Sequence, residues 1–374
     1  MIKNIILVFS LILLLSACSD KQEHHVSGKS IKVGVLVPMT GENKRFSQQS
    51  VLGLQAAQKM KKYLNNGDEI VFEIRDTKST QEGTQKAFKE LQAKDVKVIM
   101  ALLGSDNVLA IKEQVSKSEI PTIVTIATSS FLTSADGFIS QVCMNNSTQS
   151  IVASHYIRDE KFYQNVGVVY DKNSHYSTSL AKEFRDDFIK IGGKIIFFLD
   201  VSDTKGIQEF NNISHSGIEM IFNTTNSILT MKLLKILKKK KSKIELLGSD
   251  GLLSNAIHDS KNDLHLLNGV YVLDHYAHDV HKGRKQKKFQ NSIGDEKYKH
   301  SSYAFLSYDG YQLLTYAFEK CPQYSKECIN KHIKNSDVIK GISGNFSMQN
   351  YQSKRNIYVD KIEKASLKKE VVIY

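Results

Sequence analysis

From Ile31 onward, short β-rich runs alternate with amphipathic helical runs, and few folds accept that order. Ile31 to Val37 reads as a buried strand, and Ser47 to Leu64 as a helix with Val51, Leu54, Ala57 and Met60 on one face. A strand over Glu69 to Thr77, a helix over Thr80 to Ala93, a strand over Val96 to Leu103, a helix over Asn107 to Lys117 and a strand over Pro121 to Ile126 follow. Parallel neighbours can be joined only by crossovers, so a βαβα series demands a parallel sheet with helices on both faces.

The pattern restarts after Gln141. A helix is expected over Ser147 to Arg158, then a strand at Val166 to Tyr170, a helix at Ser177 to Ile191 and a strand at Lys194 to Leu199. Ile218 to Asn223, the Leu-rich helix Ile228 to Lys239 and the strand Ile244 to Gly248 complete the series. Two similar α/β sheets in tandem are therefore expected, and 374 residues are enough for a core in each. No low-complexity linker separates the halves, which points to several close crossings between them. Ser302 to Lys320 reads as a long helix, and Ile357 to Ile362 as a late strand that must return to a sheet already built.

With 41% hydrophobic and 24% charged residues, the body of the chain has the composition of a soluble globular protein. Its beginning differs. MIKNIILVFSLILLLSACSDK carries one lysine, an apolar core from Ile5 to Leu15 and small residues before a cysteine, the pattern of a secretory signal. Leu15-Ser16-Ala17-Cys18 resembles the lipobox of bacterial lipoproteins. That resemblance implies a signal peptide over 1–17, lipidation of Cys18 as the mature N-terminus, and a tether over 18–30 holding the protein at a membrane face.

The formal net charge of +12 would suit a nucleic-acid partner, but an exported protein seldom meets one, and none is expected. The densest basic run, Lys238 to Lys241, follows Leu229, Leu233, Leu234, Ile236 and Leu237, and reads as the solvated end of an amphipathic helix, where cations suit the macrodipole. Cys143 stands alone, whereas Cys321 and Cys328 flank a short Pro-containing loop and are either a local disulfide or two thiols.

Enzyme signatures are scarce. Ser27-Gly28-Lys29-Ser30 lacks the upstream glycine and preceding strand of a phosphate loop. His275, His278 and His281 are spaced three apart with no Cys or carboxylate cluster beside them, so surface histidines are expected and no metal centre. No nucleophile–base pair and no dinucleotide fingerprint is present, so neither an enzyme nor a cofactor is expected. Polar residues do gather at the C-terminal ends of strands, where open parallel sheets bind ligands. These are Gly104-Ser105-Asp106, Ala127-Thr128-Ser129 and Ser249-Asp250-Gly251. Each alone is explained by helix capping; three of them in an exported chain point to a ligand.

In that setting the sequence resembles the solute-binding proteins of the leucine-isoleucine-valine-binding family, the receptors of branched-chain amino-acid ABC transporters. The resemblance is carried by IKVGVLVPMTG at Ile31, IRDTKS at Ile74, EIPTIVTIATSSFLTS at Glu119, YDKNSHYSTSLAKEF at Tyr170, LLGSDGL at Leu246 and SYAFLSYDGYQLL at Ser302. It implies a type I periplasmic-binding-protein fold: two doubly wound parallel-sheet lobes joined by three hinge crossings. Lobe 1 would comprise 31–144 plus 275–341, and lobe 2 would comprise 145–274 plus 342–374.

The resemblance also implies a site. Ser105 matches the serine that binds a ligand carboxylate, and Ile126 and Thr128 match the backbone and hydroxyl that complete that anion hole. Tyr176 falls where a tyrosine covers the ligand, Asp250 where an acid receives the α-ammonium, and Tyr303 where an aromatic walls the side-chain pocket. Asn226 stands where many members have a cleft tyrosine and Asn146 where an aspartate begins a helix, which would leave the pocket more polar or roomier. The implied function is capture of an amino acid or similar zwitterion and its delivery to an ABC permease, in the periplasm or another extracytoplasmic space. A sensor or cell-envelope regulator reusing the fold is the alternative.

Overall fold

The computed structural model describes residues 28–373 except 136, 215, 255–262, 277–282, 296, 297 and 365. The signal segment, Cys18 and most of its tether lie outside the described residues, as do His278 and His281.

Two sheets form, as the alternation requires. The first contains β1 (Ser30–Val37), β2 (Glu69–Asp76), β3 (Val98–Ala101), β4 (Thr122–Val124), β5 (Ile139–Gln141), β11 (Ile339–Lys340), β12 (Asn345–Gln349) and β13 (Gln352–Lys354), in the order β11-β12-β13-β5-β4-β3-β1-β2. The second contains β6 (Asn165–Tyr170), β7 (Lys194–Asp200), β8 (Met220–Asn223), β9 (Glu245–Gly248), β10 (Tyr271–Asp274), β14 (Ile357–Glu363) and β15 (Ser366–Ile373), in the order β15-β14-β10-β9-β8-β6-β7. Both are covered on two faces. In β1, Val33, Val35 and Val37 join one apolar cluster while Leu36 joins the cluster on the other side, the period-two alternation of a strand between two helix layers.

The helices that matter here are α1 (Lys44–Met60), α3 (Ser105–Ser118), α4 (Asn146–His155), α5 (His175–Lys190), α7 (Ser227–Lys239) and α9 (Ser302–Lys320), with α2 (Gln81–Gln92), α6 (Thr204–Asn212), α8 (Arg284–Ile293) and α10 (Lys326–Lys334) packed outside. Helix α1 stops four residues before the expected Leu64. The chain turns there through Gly67, whose φ is +89° and whose N–H donates to Leu64 O at 2.9 Å. Helix α9 is buried along almost its whole length and lies so close to α1 that a Cβ at Gly53 would sit 2.3 Å from Ala304 O. Leu229, Leu233, Leu234 and Leu237 of α7 are buried while Lys238 to Lys241 are exposed, so the basic run is the solvated end expected of it.

Three segments cross between the sheets: after β5, after β10 and between β13 and β14. The pairing of β12 and β13 with the first sheet moves the third crossing to Arg355–Asn356, not the 341/342 division expected from sequence. The late strand β14 enters the second sheet antiparallel to β10. Neither sheet is purely parallel, because the C-terminal third of the chain adds hairpins at the edges. The β12–β13 turn has Asn350 at φ 49° and Tyr351 at φ 68°, the two left-handed residues of a type I′ hairpin, and Asn-Tyr is not a pair that announces one.

Arg355 ties the crossings together. It is buried, its Nη2 lies 2.8 Å from Asp309 Oδ2 on α9, and its Nη1 donates to Val142 O of the first crossing at 2.7 Å. Asp309 also accepts from Ile342 N at 2.6 Å and from Ser343 Oγ. Cys321 and Cys328 form a disulfide joining the end of α9 to α10, which decides between the two states left open by the sequence.

Candidate functional site

A cleft of about 290 Å³ lies between the sheets at the C-terminal ends of their strands, close to the lower end of the range for small-molecule sites, roughly 300–1,000 Å³. Ser105, Ile126, Thr128, Tyr176, Asn226, Asp250 and Tyr303 all line it. They arrive from six separate segments, Ile126 and Thr128 sharing the one after β4.

On the first-lobe wall, β3 delivers the chain to Gly104, which precedes α3 with extended geometry and supplies no side-chain cap. The N–H groups of the first turn have no helix carbonyl in front of them, and the macrodipole adds partial positive charge there. A Cβ at Gly104 would meet nothing within 4 Å, so this end faces open space. Ser105 Oγ accepts from Ser129 N at 3.2 Å, which leaves its own proton to donate. Thr128, 1% exposed, has a buried Oγ1 with no partner. An orphaned buried hydroxyl costs about 1–3 kcal/mol, so such groups usually have a partner to meet.

The other hydroxyls of the Thr125 to Ser134 run do different work. Ser129 Oγ accepts from Phe131 N at 3.4 Å, Ser130 Oγ donates to Glu183 Oε2 at 3.1 Å, and Thr133 Oγ1 accepts from Gln352 Nε2 at 3.1 Å. Of that run, Ile126 and Thr128 line the cleft.

On the second-lobe wall, Asp250 follows β9 and opens a 3₁₀ turn. It is 4% exposed, and among the described residues its carboxylate accepts from no backbone N–H of that turn. Tyr176 Oη donates to Asp250 Oδ1 at 2.6 Å, and His275 Nε2 lies 3.5 Å from Oδ2. Met144 N donates to His275 Nδ1 at 3.3 Å, which assigns the remaining imidazole proton to Nε2, facing the acid. His275 is thus buried at the start of a crossing, not the surface histidine expected from sequence. Burial, with the adjacent Asp250 charge, pushes the Tyr176 phenol well above its usual range. Burial does the same to Tyr303, whose Oη donates to Asp250 O at 3.2 Å across the cleft.

Two expectations change. Asn226 lines the cleft, and its Oδ1 caps α7 by accepting from Leu229 N at 3.0 Å. Asn146 is fully buried and does not line the cleft; its Nδ2 donates to Ser179 Oγ at 2.7 Å and Tyr176 O at 3.1 Å, tying α4 to α5. It shapes the pocket through Tyr176, not by its own polarity.

Sequence reasoning left several lining residues unassigned, among them Glu42, Asp106, Asp171, Ser174 and Ile228. Asp106 crosses the cleft: its Oδ1 accepts from His175 N at 2.9 Å and its Oδ2 from Ser174 Oγ at 3.5 Å, at the N-terminus of α5. Asp106 belongs to the strand-end run Gly104-Ser105-Asp106, but nothing local in that run shows that a helix of the other lobe begins opposite.

A family model described as periplasmic binding protein matches residues 30–366. No curated protein matches the chain by sequence. Among solved structures the chain is similar to a leucine binding protein from Thermotoga maritima, at 22% identity and a TM-score of 0.80, covering 92% of this chain and 98% of that one. It is similar to a solute binding protein of an ABC transporter from R. palustris in complex with 4-hydroxybenzoate, at 19% identity and a TM-score of 0.80, covering 92% and 97%. It is also similar to the branched-chain amino acid transporter substrate binding protein from Streptococcus pneumoniae in complex with isoleucine, at 18% identity and a TM-score of 0.79, covering 92% and 99%. At these identities the likeness fixes the fold: two α/β lobes of the type I periplasmic-binding-protein kind.

Proposed function

The chain belongs to the periplasmic binding protein family, and from that premise we propose that it captures an α-amino acid between its lobes and hands it to the permease of an ABC transporter. Membership makes it an extracytoplasmic solute-binding protein of the kind that serves such transporters, and not an enzyme. The ligand class is the open choice, since the similar structures hold an amino acid in one case and an aromatic acid in another.

The observation that carries the reading is the opposition of two unlike walls. The partnerless hydroxyl of Thr128 and the uncapped N-terminus of α3 suit a carboxylate, while the buried Asp250 carboxylate lines the same small cleft. A zwitterion satisfies both ends. A benzoate would satisfy the first and leave Asp250 without an ammonium. In this arrangement Ser105 and Thr128 donate to the ligand carboxylate, Ile126 and Tyr303 wall the pocket, and Tyr176 orients Asp250 for the ammonium. Closure is a population shift, favoured because the ligand touches both lobes at once.

The test is calorimetric titration with a set of amino acids and their deaminated analogues, on the wild type and Asp250→Asn. A hydrogen bond to a charged group contributes about 1.5–3 kcal/mol, so the variant should bind an amino acid roughly ten- to a hundred-fold more weakly. Equal affinity for the deaminated analogue would refute the amine contact.

The lipobox-like Leu15-Ser16-Ala17-Cys18 supports anchoring of the same protein through acyl chains on Cys18. Cys18→Ala should release it from the membrane fraction or block its maturation; a processed variant still bound to membranes would refute lipidation there.

A further inference from the structure

The chain carries a formal net charge of +12, yet its cleft is lined by Glu42, Asp106, Asp171 and Asp250 and, among the described residues, by no lysine, arginine or histidine. Two of these acids are accounted for. Asp106 is held by His175 N and Ser174 Oγ, and Asp250 by Tyr176 with His275 beside it. Asp171 has one oxygen bound, its Oδ1 accepting from Asn173 N at 2.9 Å, and neither it nor Glu42 pairs with a cation among the described residues. Glu42 precedes α1 in the first lobe and Asp171 follows β6 in the second, so closing the lobes brings two carboxylates into one lining.

A neutral amino acid would not answer that arrangement. Its ammonium would meet Asp250, and Glu42 and Asp171, which line the same cleft from opposite lobes, would be left without a counter-charge. The buried Thr128 hydroxyl, which lines the same cleft and has no partner, is an independent polar group there that a ligand can satisfy. We propose that the solute is an α-amino acid whose side chain carries a positive charge, with that charge lying between Asp171 and Glu42. The proposal rests on the amino-acid reading of Ser105, Thr128 and Asp250, to which it adds the chemistry of the side chain.

The experiment is calorimetric titration of the protein with L-lysine, L-arginine and L-norleucine, the last a neutral side chain of similar length, at low and at physiological salt. Lysine or arginine should bind at least ten-fold more tightly than norleucine, and the gap should narrow as salt rises. Asp171→Asn, which keeps the acceptor for Asn173 N, should reduce the lysine affinity by a larger factor than the norleucine affinity, and Glu42→Gln should do the same. Norleucine binding as tightly as lysine, or a lysine preference untouched by both variants, overturns the cationic side chain and leaves the zwitterion reading standing. If no α-amino acid binds and a deaminated acid does, the zwitterion reading falls, and this proposal with it.

Discussion

Tyr176 and Asp250, 74 residues apart in sequence, meet through a 2.6 Å hydrogen bond in which the phenol donates to Oδ1 of the carboxylate. The phenol is held well above its usual pKa by burial and by that same carboxylate, so it keeps its proton and always donates. Gly251 N donates to the phenol oxygen of Tyr176 at 3.2 Å, a second contact that fixes the ring.

Tyr176→Phe removes the donor and leaves Asp250 free to rotate toward His275. On the amino-acid reading, affinity falls about ten-fold or more, since a hydrogen bond to a charged group is worth about 1.5–3 kcal/mol. Calorimetry on the two proteins measures the loss, and an unchanged affinity would mean that Asp250 is oriented by His275 alone.

Asp106 is a latch between the lobes, an anion of the first lobe lying on the N-terminus of α5 in the second. Charge–dipole contacts of this kind contribute about 0.3–1 kcal/mol, up to ~2 when partly buried. Asp106→Ala should raise the radius of gyration of the ligand-free protein in small-angle scattering and speed ligand release several-fold. A scattering profile identical to wild type would show that the latch does not hold the lobes.

Arg355 and Asp309 form a buried ion pair that clasps the third crossing to α9. Removing one partner of such a pair costs about 3–5 kcal/mol, because the other charge stays buried alone. Arg355→Ala should lower the urea midpoint accordingly, and Arg355→Met with Asp309→Asn, which keeps an acceptor for Ile342 N and Ser343 Oγ, should recover much of the loss. If the double variant is no better than the single one, the pair matters for packing and not for charge.

Glu183 behaves against the usual carboxylate trend. Burial raises its pKa above the ordinary 4.5, the nearby Asp187 charge adds to that, and the hydrogen bond from Ser130 only partly offsets both. The folded state therefore holds the proton more tightly than the unfolded chain. Its contribution is fully present below 4.5 and is lost as pH rises through the raised folded value. Glu183→Gln fixes the neutral form, so the variant should melt higher than wild type at neutral pH, with the difference vanishing toward pH 4.5. Melting curves over that range decide it, and a difference constant with pH would remove Glu183 as the cause.

The sequence by itself determined the layered α/β architecture, because a strand between two helix layers must be apolar on alternating faces and a crossover helix must carry one apolar stripe. Those are local periodicities, and Val33 to Val37 or Leu229 to Leu237 display them without knowledge of their partners. The chain order also exposed the strand ends where Ser105, Thr128 and Asp250 lie, since ligands gather at such ends in open parallel sheets.

What only the tertiary structure decided has no local signature. The allotment of β12 and β13 to the first sheet is a pairing choice between edges far apart in sequence. Asn226 turned out to spend its oxygen on a cap, and Asn146 to tie two helices, because each side chain takes the nearest geometry that satisfies it. The burial of His275 against Asp250, the reach of Asp106 across the cleft and the presence of Glu42 and Asp171 in one lining all join residues far apart in the sequence. Electrostatic partners are set by distance in space, and the lining's charge exists only once two lobes have folded and met.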